Sequence, residues 1–220
     1  MGWHEAPMKL VIIDPGSGNL ASVLRAFQKV AAESGIAAEI SVTRDAAEIL
    51  AADRVVLPGQ GAFAACRRGL DALPGAIAAL QSRVRGDGVP FLGICVGMQL
   101  MATLGREYED TDGLNWVAGE VTRITPTDPT LKVPHMGWND LVLDAPHPVF
   151  DGIKTGDHTY FVHSYHMAVK NPAQRLAHVD YASEVTAVIG RDNMIGMQFH
   201  PEKSAAQGLT LYRIFPHWNP

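Results

Sequence analysis

The segment Val89-Pro90-Phe91-Leu92-Gly93-Ile94-Cys95-Val96-Gly97-Met98-Gln99-Leu100-Met101 contains an apolar run, then a cysteine between glycines, then a second apolar run. Residues 89–94 are apolar on both faces, which predicts a buried strand, and residues 98–101 predict the start of a helix. Cys95 lies where the strand passes into the helix. Gly93 and Gly97 permit the tight turn that exposes a nucleophile at such a junction. The segment therefore predicts a strand–nucleophile–helix turn inside an α/β fold.

The same alternation of strand and helix extends through the first half of the chain. The predicted elements, in order, are strand 9–14, helix 20–30, strand 38–42, helix 45–52, strand 54–57 and helix 74–85. These strands are apolar on both faces, as strands are when helices cover both sides of a sheet. We therefore predict a mostly parallel central sheet flanked by helices.

Strand patterns dominate the second half, and turn residues separate them. The predicted elements are strands 117–124, 141–143, 159–169, 175–181, 185–189 and 194–199, followed by a helix at 204–214. Short strands in succession are typical of antiparallel pairing, so we expect an antiparallel extension of the sheet. No linker divides the chain, and we predict a single domain at 9–220 preceded by an N-terminal extension at 1–8.

Composition excludes several classes of function. The chain has 220 residues, with 18 Lys and Arg against 23 Asp and Glu, and the net charge of −5 lacks the basic footprint of a nucleic-acid-binding protein. Its two cysteines cannot form a disulfide scaffold or a four-thiolate zinc site. The uncharged stretch 88–105 contains Pro90, Gly93 and Gly97, which suit a buried strand and helix better than a membrane span. We expect a soluble cytoplasmic protein without secretory signal, metal or cofactor.

Cys95 is the strongest candidate for a nucleophile. A helix dipole stabilises a thiolate at the helix N-terminus, and the backbone N–H of Val96 points to where an oxyanion would form. A lone cysteine is more often buried and inert, and only the flanking glycines favour the nucleophile here. Cys66 has no such turn, and we interpret it as a packing residue.

His200 and Glu202 are the candidates for a base and its orienting group. In an extended segment, residues two apart face the same way, so Glu202 can support His200 across Pro201. A lone His-x-Glu spacing is a weak signal, which chance can also produce. The remaining histidines considered show no metal-ligand spacing and are predicted to be core or surface residues: His135, His158, His163, His166 and His178.

Two glycine-rich turns follow predicted strands. Gly59-Gln60-Gly61 could bring backbone N–H groups close to a phosphate or an oxyanion, although such a turn by itself is more often ordinary. Gly16-Ser17-Gly18-Asn19 lacks the third glycine of a dinucleotide-binding motif, because position 21 is alanine. We therefore reject a dinucleotide site there.

Together these motifs resemble the class I (triad) glutamine amidotransferases. The resemblance rests on the segments Gly93–Gln99 and His200–Glu202, and it implies a single flavodoxin-like domain. It also implies that Cys95 attacks glutamine, that His200 is the base and that Glu202 orients it. Val96 and the Gly59-Gln60-Gly61 segment would hold the oxyanion. The glutamine pocket would be lined by Gln99, Ser164 and Tyr165.

Further blocks are similar to the glutaminase subunits of imidazole glycerol phosphate synthases. These blocks are Asp14–Asn19, Pro58–Phe63, Val133–Asn139, Tyr160–Tyr165 and Gln198–Ser204. The similarity implies a heterodimer with a (β/α)8-barrel cyclase subunit, which receives ammonia through a tunnel for histidine biosynthesis. Asn19 and Lys203 would contact that partner. The chain departs from the pattern at Pro15, where the family carries an aromatic residue, and at Gln60, where it carries valine.

Other functions remain open at this level. The triad alone fits anthranilate, GMP or carbamoyl-phosphate synthesis equally well. It also fits a stand-alone Cys-His-Glu hydrolase of γ-glutamyl compounds. A regulatory binding module that lost turnover is a third interpretation, against which the intact Cys95, His200 and Glu202 argue.

Overall fold

The computed structural model describes residues 6–220, except for the side chains of residues 205–207. Residues 1–5 of the expected N-terminal extension lie outside the described part, and the first strand begins at Met8. The strands are β1 (Met8–Ile13), β2 (Ala38–Thr43), β3 (Arg54–Gly59), β4 (Phe91–Cys95), β5 (Leu104–Glu107), β6 (Glu109–Asp112), β7 (Gly119–Arg123), β8 (His135–Asp140), β9 (Val142–Leu143), β10 (His158–His163), β11 (Tyr165–Val169), β12 (Arg175–Asp180), β13 (Glu184–Arg191) and β14 (Met194–Met197).

The helices lie mainly between the strands of the first half. They are α1 (Leu20–Ser34), α2 (Ala46–Leu50), α3 (Phe63–Asp71), α4 (Ala76–Leu80), α5 (Val96–Gln99) and α6 (Ala205–Ile214). A π-helical turn, Gln81–Gly86, continues α4. Single 3-10 turns are formed by Pro148–Phe150, Pro172–Gln174, Pro201–Lys203 and Phe215–His217. Within residues 6–220 no helix combines the length and the apolar character needed to cross a membrane.

An eight-stranded sheet in the order β2-β1-β3-β4-β14-β13-β12-β9 forms the centre of the molecule. Strands β2, β1, β3, β4 and β14 are parallel, in the order of the flavodoxin-like doubly wound folds. All of β4 is buried, as its apolar sequence on both faces predicts. The predicted α/β class with a mostly parallel central sheet is confirmed.

The second half forms more than an extension of this sheet. Strands β13, β12 and β9 do extend it in antiparallel fashion. However, β11-β7-β5-β6 form a separate four-stranded sheet, and β10 and β8 pair alone. The predicted strand at 159–169 is therefore wrong as one element. It breaks at Ser164, because β10 pairs with β8 while β11 pairs with β7.

Several elements lay outside the sequence-based prediction. Helix α3 and strands β5, β6 and β8 are examples. Strands β5 and β6 are short and rich in charged residues, so no apolar alternation marks them. The break at Ser164 is also invisible in the sequence, because an alternating pattern does not show which strand each half pairs with.

The carboxyl ends of the central parallel strands converge at one edge of the sheet. Gly59 at the end of β3 pairs with Cys95 at the end of β4, and His200 follows β14 by three residues. Ligands bind at this edge in open parallel sheets. The fold thus brings Cys95, the Gly59-Gln60-Gly61 turn and His200 together.

Close backbone packing shapes the turn at Cys95. A Cβ at Gly97 would overlap the Leu57 carbonyl oxygen of the neighbouring strand, and one at Gly93 would lie 2.7 Å from the Gly97 carbonyl oxygen. Cys95 itself has φ 54° and ψ −113°, a conformation that costs about 1–3 kcal/mol for a residue with a side chain. The two glycines therefore let α5 start directly against β3, with the cysteine held in a strained turn.

We predict that Gly97→Ala lowers the free energy of unfolding by about 3 kcal/mol, because the added methyl group must displace the Leu57 backbone. The measurement is the urea unfolding midpoint and slope. Gly86→Ala is the matched control, since its Cβ would meet only ordinary contact at 3.7 Å. Equal stability of the two variants would contradict the proposed packing constraint.

Candidate active site

Four side chains, Cys95, His200, Glu202 and Tyr212, form a chain of contacts at the carboxyl edge of the sheet, and the first link is a hydrogen bond between Cys95 and His200. Cys95 lies at the N-cap position of α5 and is 6% exposed. The imidazole Nδ1 of His200 lies 3.1 Å from Oε1 of Glu202. The Tyr212 hydroxyl donates a 3.1 Å hydrogen bond to Oε2 of the same carboxylate. Glu202 is thereby oriented by one partner on each oxygen.

The backbone around His200 is held by β10. The His200 N–H donates to the Tyr160 carbonyl at 3.2 Å, and the Ser204 hydroxyl donates to the His200 carbonyl at 2.7 Å. Residues Pro201–Lys203 form a 3-10 turn, so the expected extended link between His200 and Glu202 is wrong. Their side chains still meet, because the turn folds the carboxylate back toward the imidazole.

The electrostatics of the site favour a charged His200. Burial alone would lower the pKa of His200, but hydrogen bonds and charge from Cys95 and Glu202 outweigh burial and raise it to about 9. Burial likewise opposes ionisation of Glu202, yet the bonds from His200 and Tyr212 lower the pKa of its carboxyl group. A histidine with a raised pKa keeps a proton that it has taken from a neighbouring thiol, and as an imidazolium it can then give that proton to a leaving group.

Cys95 and His200 open into a cavity of about 340 Å³. The predicted site residues that also line it are Gln60, Gly61, Val96, Gln99, Ser164, Tyr165 and Lys203. Gly59 is not among the lining residues. It packs against Val96, and a Cβ at Gly59 would lie 3.0 Å from the Val96 side chain. Asn19 is half-buried at the start of α1 and does not line the cavity.

Two buried amide side chains connect the cavity to the cysteine. Gln99 Nε2 donates to the Tyr165 carbonyl at 3.1 Å and to Gln198 Oε1 at 3.0 Å. Gln198 Nε2 in turn lies 3.8 Å from the Cys95 sulfur as a donor. Both protons of the Gln99 amide are thus used on protein acceptors, so its Oε1 is the group that it can offer to a ligand.

The orientation of the Gln60–Gly61 peptide is set by Cys66. The Cys66 thiol donates to the Gln60 carbonyl at 3.2 Å, and the Ser17 hydroxyl lies 3.2 Å from the same sulfur. Because the thiol proton is used on Gln60, the Ser17 hydroxyl acts as donor to the sulfur. Burial raises the pKa of the Cys66 thiol. Cys66 therefore packs, as predicted, and also anchors the glycine-rich turn.

Sequence reasoning missed six residues that line the cavity or contact Cys95 or Glu202: Glu107, Pro134, Val162, His163, Gln198 and Tyr212. His163 and Gln198 stand inside motif blocks, so their neighbours could have indicated them. Glu107 ends the unpredicted strand β5, and no sequence signal pointed to it. Its Oε2 accepts from the backbone N–H of Phe63 at 2.8 Å, which fixes the carboxylate at the start of α3.

The residues at this site can provide a nucleophile and a base. Among the residues that the structure describes, no group of three or more His, Cys, Asp or Glu side chains could hold a metal ion. The arrangement offers a buried thiol, a basic imidazole with an oriented carboxylate, and backbone N–H groups at a helix start. This set is suited to acyl transfer through a thioester.

Comparison with known proteins agrees with this chemistry. The family model "Glutamine amidotransferase class-I" matches residues 11–213. A protein of Ruegeria pomeroyi named imidazole glycerol phosphate synthase subunit HisH is 61% identical over 97% of this chain and 100% of its own length. Proteins with the same name from Cereibacter sphaeroides and Brucella abortus are each 55% identical with the same coverage.

Solved structures show the same fold at low sequence identity. A crystal structure described as a glutamine amidotransferase has a TM-score of 0.69 at 17% identity, covering 94% of this chain and 97% of that one. The crystal structure of a glutamine amidotransferase from Thermotoga maritima has a TM-score of 0.64 at 16% identity, covering 92% of this chain and 80% of that one. On the family model and the full-length relatives, the chain belongs to the class I glutamine amidotransferase family.

Proposed function

We propose that this chain is the glutaminase subunit of an imidazole glycerol phosphate synthase, which hydrolyses L-glutamine and delivers ammonia to a cyclase subunit. The observation that carries the proposal is the buried Cys95 at the helix start, in one cavity with His200 and its partner Glu202. The names of the full-length relatives supply the assignment to this synthase. The proposed subunit would be a soluble, cytoplasmic half of a heterodimer.

In the first half of the reaction, the Cys95 sulfur attacks the side-chain amide carbon of glutamine. His200 accepts the thiol proton and then gives it to the leaving nitrogen, so that ammonia departs and a thioester remains. Glu202 stabilises the imidazolium that forms, and the Tyr212 hydroxyl keeps the carboxylate in place. In the second half, His200 takes a proton from the water that attacks the thioester, and it returns this proton to the Cys95 sulfur as the carbon–sulfur bond breaks and glutamate is released.

Backbone N–H groups stabilise the oxyanion of both tetrahedral intermediates. Val96 starts α5, where the first N–H groups of a helix lack intrahelical partners. The Gln60–Gly61 turn supplies the second donor from across the cavity. Each such donor lowers the barrier by about 3 kcal/mol. Since Cys66 holds the Gln60 carbonyl, it governs which way the N–H groups of this turn point.

The cavity offers complementary groups to the backbone of glutamine. Glu107 places a carboxylate in the lining, and a carboxylate is the natural partner of an α-ammonium group. Gln99 presents its Oε1 from the same wall, beside Ser164 and Tyr165. Glutamine is thus held by its amino-acid end while the side-chain amide reaches Cys95.

The cyclase would dock on the face that surrounds the cavity mouth. Lys203 is exposed at this mouth, and Asn19 precedes α1 at the same edge of the sheet. Strand β8 adds two exposed apolar side chains, Met136 at 62% and Trp138 at 54%. The Trp138 ring contacts Tyr160, whose carbonyl holds the His200 backbone. A partner on this face therefore sits against the catalytic turn.

We predict that Cys95→Ala removes glutamine-dependent synthesis by the complex, with a loss of at least about 10⁴-fold, because Cys95 is the one thiol among the described residues that lines the cavity. Ammonia-dependent synthesis by the same preparation is the control and should remain unchanged. Product formation is followed with glutamine and with ammonium salt in parallel. If glutamine-dependent formation survives, Cys95 is not the nucleophile.

We predict that Glu202→Gln lowers the pKa of His200 by about 1 pH unit or more, because the neutral amide no longer stabilises the imidazolium. The raised pKa of wild-type His200 stabilises the fold fully below its ordinary pKa of about 6.5, and this stabilisation is lost as pH rises through about 9. NMR titration of the His200 ring measures both values. Tyr212→Phe keeps the carboxylate and should give a smaller change.

We predict that Trp138→Ala weakens association with the cyclase about 30-fold, as expected for a central aromatic side chain of an interface. Leu50→Ala is the matched control, because Leu50 is 48% exposed at the end of α2. It lies shortly before β3 begins, near the amino ends of the parallel strands and away from the cavity. Titration calorimetry gives both affinities. Equal affinities would place the cyclase elsewhere.

We also expect glutaminase activity to be low for the isolated chain and to rise with the cyclase and its ligand.

A further inference from the structure

Two buried histidines that the reaction does not use form a continuous hydrogen-bonded chain with the glutamine cavity. Asn139 Nδ2 lies 3.2 Å from His135 Nε2, and His135 Nδ1 lies 3.0 Å from His163 Nε2. His163 Nδ1 lies 2.9 Å from the Tyr165 carbonyl oxygen. The same carbonyl accepts from Gln99 Nε2. We call the side chains of Asn139, His135 and His163 the histidine relay.

The Asn139 end of the relay fixes the proton on His135. Oδ1 of Asn139 accepts from the Asp140 N–H at 2.8 Å, and Nδ2 donates to the Asp180 carbonyl at 3.0 Å. A backbone N–H can only donate and a backbone carbonyl can only accept, so these two bonds fix which atom of the Asn139 amide is the oxygen and which is the nitrogen. The atom that faces His135 is therefore Nδ2, a donor. His135 Nε2 must then accept, which places the single ring proton on Nδ1.

The Tyr165 end leads to the same arrangement. A carbonyl oxygen can only accept, so His163 carries its proton on Nδ1. Its Nε2 is then free to accept the proton that His135 Nδ1 offers. A second proton on either ring would set two donors against each other, at His135–His163 or at Asn139–His135. The relay is therefore satisfied only when both histidines are neutral Nδ1–H tautomers.

The surroundings support this protonation state. His135 is 2% exposed and His163 is 6% exposed. Burial lowers the pKa of His135 to about 4 and, together with the nearby His135, His166 and His200, lowers the pKa of His163 to about 3. The His135 ring also contacts the rings of Phe161 and Tyr181, with centroids 4.9 and 4.2 Å away.

The geometry points to His135 and His163 as positioning residues of the glutamine site: as a neutral, tautomer-locked pair they hold the Tyr165 carbonyl in place. Gln99 donates to that carbonyl and to Gln198, and Gln198 reaches the Cys95 sulfur. The relay thereby sets the position of the amide that faces the ligand. This inference rests on the proposed glutaminase function of the cavity.

The first test is the ring spectrum of the wild-type chain, ¹⁵N-labelled at histidine, at pH 7. Long-range ¹H–¹⁵N correlation distinguishes the tautomers, and single His135 and His163 variants assign the signals. We expect both rings to be neutral with the proton on Nδ1. An Nε2–H tautomer or a charged ring at either position would overturn the inference.

The second test is a variant series at His163, assayed as glutaminase in complex with the cyclase. His163→Leu removes the donor to Tyr165, and we expect KM for glutamine to rise about tenfold, as loss of one buried hydrogen bond implies. His163→Asn keeps a donor at the Nδ1 position and should return KM to within about threefold of wild type. His158→Leu is the control, because His158 is exposed on the same strand.

The outcomes separate a positioning role from a structural one. If the variants lose only folded protein, kcat falls with the folded fraction and KM stays unchanged, and this result would overturn the inference. Equal KM values for His163→Leu and His163→Asn would overturn it as well. If His163→Leu does not fold, the KM of His163→Asn and the wild-type ring spectrum test the inference without it. Failure of the proposed function shows instead as absence of glutamine hydrolysis by the wild-type complex, whatever the tautomers.

Discussion

The site depends on one close approach of backbone to backbone, where α5 meets the end of β3. At Gly97 there is no room for a side chain against the Leu57 carbonyl, and at Gly59 there is none against Gly97. This contact brings the start of α5 beside the Gln60–Gly61 turn. Cys95, Val96 and the Gln60–Gly61 turn then border one cavity. The strain at Cys95 is sustained because β4 is buried along its whole length and cannot shift to relieve it.

His200, the base that we propose, reaches the cavity by a different route. His200 follows β14, the last parallel strand, but its backbone is hydrogen-bonded to Tyr160 of β10. Ser204 links the same two segments, since its hydroxyl accepts from the Tyr160 N–H and donates to the His200 carbonyl. The position of His200 is thus set by the small β8–β10 pair as much as by the central sheet. The second half of the chain is therefore part of the candidate active site.

Local patterns were sufficient for the central sheet and for the strand–helix turn at Cys95. Buried parallel strands have a strong apolar signature, and the glycines around Cys95 reflect a local backbone requirement that can be read from a few residues. The pairing of His200 with Glu202 was predicted from their separation, although by an extended link that the 3-10 turn replaces. Glu107 could not be found in this way, because its place in the cavity comes from β5, a short strand that pairs with charged β6 in a separate sheet.

The alternation of side chains along β8 explains why the relay was also hidden. Met136 and Trp138 face outward, while His135 and Asn139 face the interior, as the period of a strand requires. From sequence alone the histidines read as ordinary core residues, because their role arises only when β10 brings His163 opposite His135. The proposed partner surface and the relay are consequently two faces of one strand. Because a hydrogen bond weakens steeply as its angle departs from linearity, a shift of β8 against β10 acts directly on the bond between the two histidines. A partner bound to the outer face of β8, as we propose, would therefore act on the proposed glutamine cavity through a shift of this one strand.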